Sequence, residues 1–168
     1  MPFATKYTVE QIQGVRGALK KRLEDEVRAR GIAEVVVRDI LPTDDLGVGT
    51  NNAWVISIPT GSNSVTITKE LPDDMAFGFY GVRFLDPAAD VTSIRFKLGQ
   101  AKIKAVFQVQ SALTEEDKTG YFEEVILYKP KDSMVIDVFA GSSGDKRVQL
   151  LGFVAERKGR TIVGPVEW

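Results

Sequence analysis

The chain of 168 residues contains no cysteine and no histidine. Without cysteine there are no disulfides, thiolate metal sites or thiol nucleophiles. Without histidine, the commonest general base and the commonest metal ligand are both missing. No other side chain takes that place near neutral pH without a large pKa shift. Zinc hydrolases, Ser-His-Asp triads and Cys-His pairs are thereby excluded. No apolar run approaches the ~20 residues of a membrane span, so no membrane partner is expected. The opening Met1-Pro2-Phe3-Ala4-Thr5-Lys6-Tyr7 lacks the charged and apolar regions of a signal peptide, and synthesis in the cytoplasm is expected. An excess of one charge is missing too. The 22 basic residues stand against 23 acidic ones, which argues against nucleic acid as a general partner.

The signs are nevertheless unevenly spread. Residues 1–38 carry eight Lys/Arg against five Asp/Glu, and residues 39–90 carry two against eight. Solvated faces account for this, since mixed surface charge is the norm. A basic arm docking on an acidic neighbour is the sharper alternative.

One segment has helical periodicity, from about Val9 to Arg30. Thr8 followed by Gln11 is a capping-box pair that satisfies free N–H groups at a helix start. Val9, Ile12, Val15, Leu19, Leu23 and Val27 recur at spacings of three and four and form one apolar stripe. Lys20 with Glu24, Lys21 with Asp25 and Glu24 with Arg28 are i,i+4 pairs on the wet side. Gly31 closes the helix as a left-handed cap. Gly14 and Gly17 each cost about 1 kcal/mol relative to alanine, so the helix is kinked or starts later, or another backbone comes close there.

From Glu34 onward the period changes to two. Val35, Val36 and Val37 form a β-branched run stopped at Leu41-Pro42. The polar stretch from Asp44 to Asn52, with Gly47 and Gly49, reads as a hinge. The expected division is therefore an N-terminal arm, 1–50, and a β body, 51–168. In the body Ile56 and Ile58, then Val65 and Ile67, alternate with polar residues. Phe77 and Phe79 are expected on one face of a strand, with Tyr80, Val82 and Phe84 on the other. Ile94, Phe96 and Leu98 oppose Arg95 and Lys97, and Ile103, Ala105, Phe107 and Val109 repeat the pattern. Further strands are expected at 121–128, 133–140, 147–155 and 161–163. Eight or nine short strands with regular turn signals predict a mainly β chain. The predicted fold is an antiparallel β-sandwich or single jelly roll, preceded by an amphipathic α-helix and extended arm.

Candidate chemistry is sparse. Gly47-Val48-Gly49 lacks the third glycine and the lysine of a phosphate loop and precedes a strand, so a connector is preferred. Asp73-Asp74, Asp86 with Asp90, and Glu115-Glu116-Asp117 lack the spacing of a calcium loop. No metal and no cofactor is expected. Paired carboxylates can hydrolyse glycosides without histidine, but only at spatial separations that sequence does not show. Trp54, Trp168, Tyr80, Tyr121 and Tyr128 are candidates for an aromatic platform, though aromatics at strand period are usually core. An enzyme is not expected.

The strand series Ile94-Arg95-Phe96-Lys97-Leu98, Tyr121 to Tyr128, Met134 to Phe139 and Val148 to Val154, with tight turns, spans about Ala53 to Val163. Together with the helical arm and hinge, this layout resembles structural proteins of icosahedral prokaryotic viruses, both single jelly-roll coat proteins and capsid decoration (cement) proteins. The resemblance implies a non-enzymatic virion protein that assembles as a symmetric homo-oligomer, with a capsid shell protein as a further partner. Glu24, Asp25, Glu26 and Glu34 interrupt the basic residues, unlike the Lys/Arg-rich arms of genome-packaging coats, which points to an outer role. Val9, Ile12, Val15, Leu19, Leu23 and Val27, with Trp168, are the candidate interaction residues. An isolated helix of this length is marginal in water, so the stripe must be buried against something. The expectation is a neighbour, reached through the hinge, with Gly14 and Gly17 admitting close backbone contact. The alternative is a carbohydrate- or ligand-binding β-sandwich.

Overall fold

The computed structural model describes residues 4–5, 8–86, 90–108 and 119–160. The expected strand at 161–163, most of the acidic loop 115–120, Val109 and Trp168 lie outside the described residues.

After a two-residue strand β1 (Ala4–Thr5), helix α1 runs Val9–Arg28. The capping box forms as expected: the Gln11 N–H donates to Thr8 Oγ1 at 3.2 Å, and the Thr8 N–H donates to Gln11 Oε1 at 2.9 Å. Arg28 bonds Glu24 at 2.6 Å and Lys21 lies 3.8 Å from Asp25, two of the three i,i+4 pairs. Lys20 instead sits 4.7 Å from the Phe153 ring centre. The helix ends at Arg28, and Gly31 takes a φ of +86° in the turn beyond it.

Ten further strands follow: β2 (Val35–Asp39), β3 (Ile56–Ile58), β4 (Ser64–Glu70), β5 (Met75–Phe84), β6 (Val91–Leu98), β7 (Lys102–Phe107), β8 (Thr119–Tyr128), β9 (Ser133–Ala140), β10 (Gly144–Lys146) and β11 (Val148–Arg157). A short helix, α2 (Pro42–Leu46), joins β2 to the rest. Pairing runs from the outside inward: β2 with β11, β3 with β10, β4 with β9, β5 with β8, β6 with β7, all antiparallel. The chain is thus one long hairpin, turning at Gly99 and wound upon itself. This winding makes two large sheets, β1-β8-β5-β11-β2 and β4-β9-β6-β7, with β3 and β10 as a separate two-stranded one, and is the jelly roll. The mainly β, antiparallel sandwich with one long N-terminal helix is as the sequence predicts.

Two bulges correct the face assignments made from strict alternation. Pairing shifts between Phe79 and Gly81, so Val82 and Phe84 turn to the same core as Phe77 and Phe79, leaving Tyr80 alone on the outer face. A second shift, opposite Phe96 and Lys97, leaves Ala105 and Phe107 facing inward but turns Ile103 out, 54% exposed. An extra residue on one strand inverts every side chain beyond it, and nothing in the hydrophobic pattern marks the place.

Between the sheets lies an aromatic core. Phe79 meets Phe96 at 5.3 Å, Phe96 meets Phe122 at 5.9 Å, and Phe107 stacks on Phe122 at 3.7 Å. Each such ring buried contributes about 1.5–3 kcal/mol. Tyr128 is buried with them and its hydroxyl donates to the Lys97 carbonyl at 2.9 Å, and burial pushes its pKa up. A second core lies on the other side of the five-stranded sheet, beneath α1.

That second core revises the expected division at residue 50. Leu19, Leu23 and Val27 are buried against Ala76, Tyr80, Leu151, Phe153 and Ala155 of their own chain. The close approach is provided by the sheet and not by the helix. A Cβ at Gly78 would come within 2.7 Å of Leu19 and 3.1 Å of Leu23, whereas Gly14 and Gly17 have open space around them. The helix is a third layer of one structure.

Candidate interaction surfaces

The interaction stripe expected on α1 divides in two. Its C-terminal half, Leu19, Leu23 and Val27, is consumed in the cis core, so these residues are no free surface. In its N-terminal half Ile12 and Val15 are half-buried and Val9 is 70% exposed. The reason lies in residue size along the sheet. Gly78 and the small Ala76 and Ala155 leave a trough for three bulky helix residues, and bulky Tyr80 and Tyr121 fill the next stretch.

The expected hinge is also corrected, because the connector after β2 is pinned by buried charge. The Arg38 guanidinium forms a two-point pair with Asp45, at 2.7 and 2.9 Å, and a second pair with Glu156, at 2.9 and 3.2 Å. All three residues are buried. Burial works against the Arg38 charge, but hydrogen bonds and charge from Asp45 and Glu156 outweigh it and raise its pKa further. Asp45 also accepts the Leu41 N–H at 2.6 Å. Beyond it, the Asn52 side chain accepts from the Thr43 and Asp44 N–H groups, both at 3.0 Å. Gly47 caps α2 at φ +70°, and Gly49 at +68° passes so close to the Ala53 carbonyl that no side chain fits. Both glycines serve a tight turn.

Of the described loop carboxylates, Asp74 and Asp90 are held by cations. Asp74 lies 2.7 Å from Arg160 and 3.4 Å from Arg157. Asp90 lies 2.6 Å from Lys146 and accepts from Ser142 at 2.7 Å, and these two bonds hold its pKa below the usual carboxylate range. Among the described residues no three His, Cys, Asp or Glu side chains converge as a metal would need.

The aromatic platform does not form from the described candidates. Tyr128 is core, Trp54 is half-buried against the inner core, and Tyr80 is buried beside α1 with Tyr121 and Phe153 as ring neighbours at 6.2 and 5.6 Å.

The surface that sequence reasoning missed is the outer face of β4-β9-β6-β7. Among the described residues no helix or strand layer covers it. Short side chains from β4 (Ser64, Thr66, Thr68) border Val135, Asp137 and Phe139 of β9, then Arg95 and Lys97 of β6, then Ile103 and Val106 of β7. At its centre Asp137 is buried, accepting from Thr66 at 2.6 Å and from Arg95 at 2.7 and 2.9 Å, with Lys97 3.7 Å away. Burial alone would raise the Asp137 pKa, but the Thr66 and Arg95 bonds and the two cations win and lower it. The Arg95 guanidinium lies over Phe139, 5.2 Å from the ring centre. The signal available in sequence was the clean Arg95/Lys97 alternation, but the carboxylate that neutralises it lies on a distant strand. Among the described residues no helix is long and apolar enough to cross a membrane.

No protein-family model and no curated protein sequence matches the chain. Solved structures with a similar layout include the CUB1-EGF-CUB2 domain of human MASP-1/3, at 17% identity and a TM-score of 0.33, covering 73% of this chain and 41% of that one. The infectious bursal disease virus VP2 subviral particle aligns at 15% identity and a TM-score of 0.36, over 74% of this chain and 33% of that one. The infectious bursal disease virus Gt strain aligns at 14% identity and 0.33, over 78% and 34%. The neighbours thus include a viral capsid protein and a CUB β-sandwich, and the chain spans less than half the length of each. The likeness is one of β-sandwich layout.

Proposed function

We propose that this chain is a non-enzymatic structural protein of a virion, a jelly-roll coat or capsid decoration protein, that assembles with copies of itself. The observation that carries this reading is the bare outer face of β4-β9-β6-β7. Its charges cancel within the face: Arg95 and Lys97 stand against Asp137 and Glu70. Two identical faces therefore meet without net like-charge repulsion, as a two-fold interface requires. The rest of the face is short hydroxyl and β-branched side chains with a half-exposed Ile103, a low, flat surface with little rotamer entropy to lose on contact. The helix, seated on the opposite sheet, leaves this face as the broad open one. A non-enzymatic role is supported by the buried carboxylates: Asp45 and Glu156 are tied to Arg38, Asp137 to Arg95, and Asp74 to Arg160, each used to hold structure. The likeness to coat and decoration proteins adds a virion location and a shell protein as a second partner.

Absolute mass by light scattering across a concentration range tests the assembly, and detection of the protein in purified particles tests the location. A stable symmetric oligomer found in particles is the expected result. A monomer at every concentration, absent from particles, would remove this reading.

A further inference from the structure

Beside the N-terminal half of α1, on the outer side of the five-stranded sheet, lies a pocket of about 220 Å³. Its polar lining comes from separate elements: Arg16 of α1, Asp39 at the end of β2, Tyr80 and Arg83 of β5, Gln149 of β11, with Trp54 at one side. Two guanidinium groups face one carboxylate, so the lining carries a net positive charge. Arg16 is the unusual member. Its guanidinium lies 5.3 Å from the Phe153 ring centre and 6.0 Å from that of Tyr80, yet its Nε is fully buried and has no hydrogen-bond partner among the described residues. That nitrogen is closed to a ligand, so it is the rest of the guanidinium that lines the pocket. Arg83 is only lightly engaged, through one bond of 3.2 Å from its Nε to Thr119, which leaves its terminal nitrogens available to the pocket. Asp39 completes the lining and forms no ion pair with Arg16 or Arg83 among the described residues.

We propose that this pocket binds a small carboxylate, held by the Arg16 and Arg83 guanidinium groups, with Trp54 at one side of the ligand's body. Guanidinium matches carboxylate in a planar two-point contact, which suits this geometry better than a point charge would. The volume has room for about seven waters at ~30 Å³ each, the space of a single sugar acid or aryl acid. Gln149 supplies both a donor and an acceptor for a hydroxyl on that body. Asp39 repels a second negative charge, so a singly charged acid is preferred over phosphate. The inference is independent of the assembly reading, because the pocket lies on the opposite sheet from the bare face.

The source of the carboxylate is either a free acid or an acidic side chain of a neighbouring molecule, and the probes separate the two. Titration of the full chain with glucuronate, followed by tryptophan fluorescence and by thermal shift, should give one saturable site. Glucose, the neutral counterpart, should give none, and inorganic phosphate should bind more weakly than glucuronate. Arg83→Gln, at an exposed residue that the fold does not need, should weaken glucuronate at least tenfold with an unchanged melting temperature. Arg16→Met keeps the cover on Phe153 and should do the same. Asp39→Asn should tighten binding, a change of opposite sign that no loss of folding produces. The fluorescence response should vanish in Trp54→Phe while the thermal shift remains. Saturation by an acidic peptide but not by glucuronate, with the same dependence on Arg16 and Arg83, would assign the site to a neighbour's side chain. No saturable binding by either probe, or binding indifferent to all three charge changes, would overturn the proposal.

Discussion

Arg38 shows how one residue of this sequence does a job that its neighbours in the chain give no hint of. It follows three valines on β2, where alternation suggests only a strand, yet its side chain ties α2 and the last strand together through Asp45 and Glu156. A buried pair adds little net stability over apolar residues of the same shape, but removing one partner strands the others. Arg38→Met should therefore cost about 3–5 kcal/mol in urea unfolding, since two carboxylates stay buried without a counter-charge. A loss below about 1 kcal/mol, the range of an exposed ion pair, would show that water reaches the site. Asp137 makes a different prediction, one of pH. Its folded pKa lies below the unfolded value of about 3.9, because the bonds from Thr66 and Arg95 favour the charged form. The stabilisation it provides is present above that unfolded value and is lost as pH falls through the folded one, where the unfolded chain has already taken up its proton. Asp90, held low by Lys146 and Ser142, acts in the same direction. Melting temperature should therefore fall below about pH 4, and Asp137→Asn should flatten that fall while lowering stability at pH 7. An unchanged acid limb in the Asn variant would mean that other carboxylates govern it.

At the scale of elements, α1 is where the physics of the sequence was clearest and its consequence least so. The capping box and the apolar spacing are local properties; the box forms, and of the stripe Leu19, Leu23 and Val27 are buried, in a helix that ends two residues short of Arg30. Which surface buries the stripe depends on the five-stranded sheet, whose outer residues come from β2, β5, β8 and β11. No window of sequence contains them together. The strands were legible for the same reason as the helix, since alternation is local, and the order of turns made the wound hairpin a natural outcome. The bulges at Gly81 and opposite Phe96 were not legible, because an inserted residue leaves the composition of a strand unchanged while reversing its faces. The bare face containing Asp137 was hidden likewise: Thr66, Arg95 and Asp137 meet only through strand pairing. The cis packing of α1 changes what truncation should do. Leu23→Ala should cost about 2–5 kcal/mol, the range for emptying a fully buried site. Val9→Ala, at an exposed position, should stay within about 0.5 kcal/mol. Removal of residues 1–45 takes away β2 and exposes Phe153, Leu151 and Tyr80 at once, so that chain should aggregate or unfold. A truncated chain that keeps a cooperative β transition would show that the sandwich closes without its third layer.

For the molecule as a whole, the two sheets have unequal surroundings, and that inequality carries the assembly reading. One sheet is covered by its own helix, which packs on β11, β5 and β2. The other has no such cover, with Thr66, Thr68 and Ile103 exposed and Val135 and Asp137 buried on its outer side, and antiparallel sheets tolerate an open side when it is polar. Here the open side is only partly so. Val106, Phe139 and the exposed Ile103 stand among hydroxyl groups, around an ion pair that the face satisfies internally. If the face meets a copy of itself, a charge placed at its apolar rim must be buried without a partner, which costs far more than the same charge left in water. Ile103→Asp with Val106→Asp tests this without touching the core, because both side chains point away from it. The double variant should keep the β spectrum and lose little in melting temperature, while its mass by light scattering falls to that of a single chain. Leu19 and Leu23 cannot serve as the test that their stripe first suggested, since charges there would disrupt the chain's own second core. An oligomer that survives the Ile103 and Val106 changes would move the contact to another surface, with the half-exposed start of α1 and its Val9 next to examine by the same substitution.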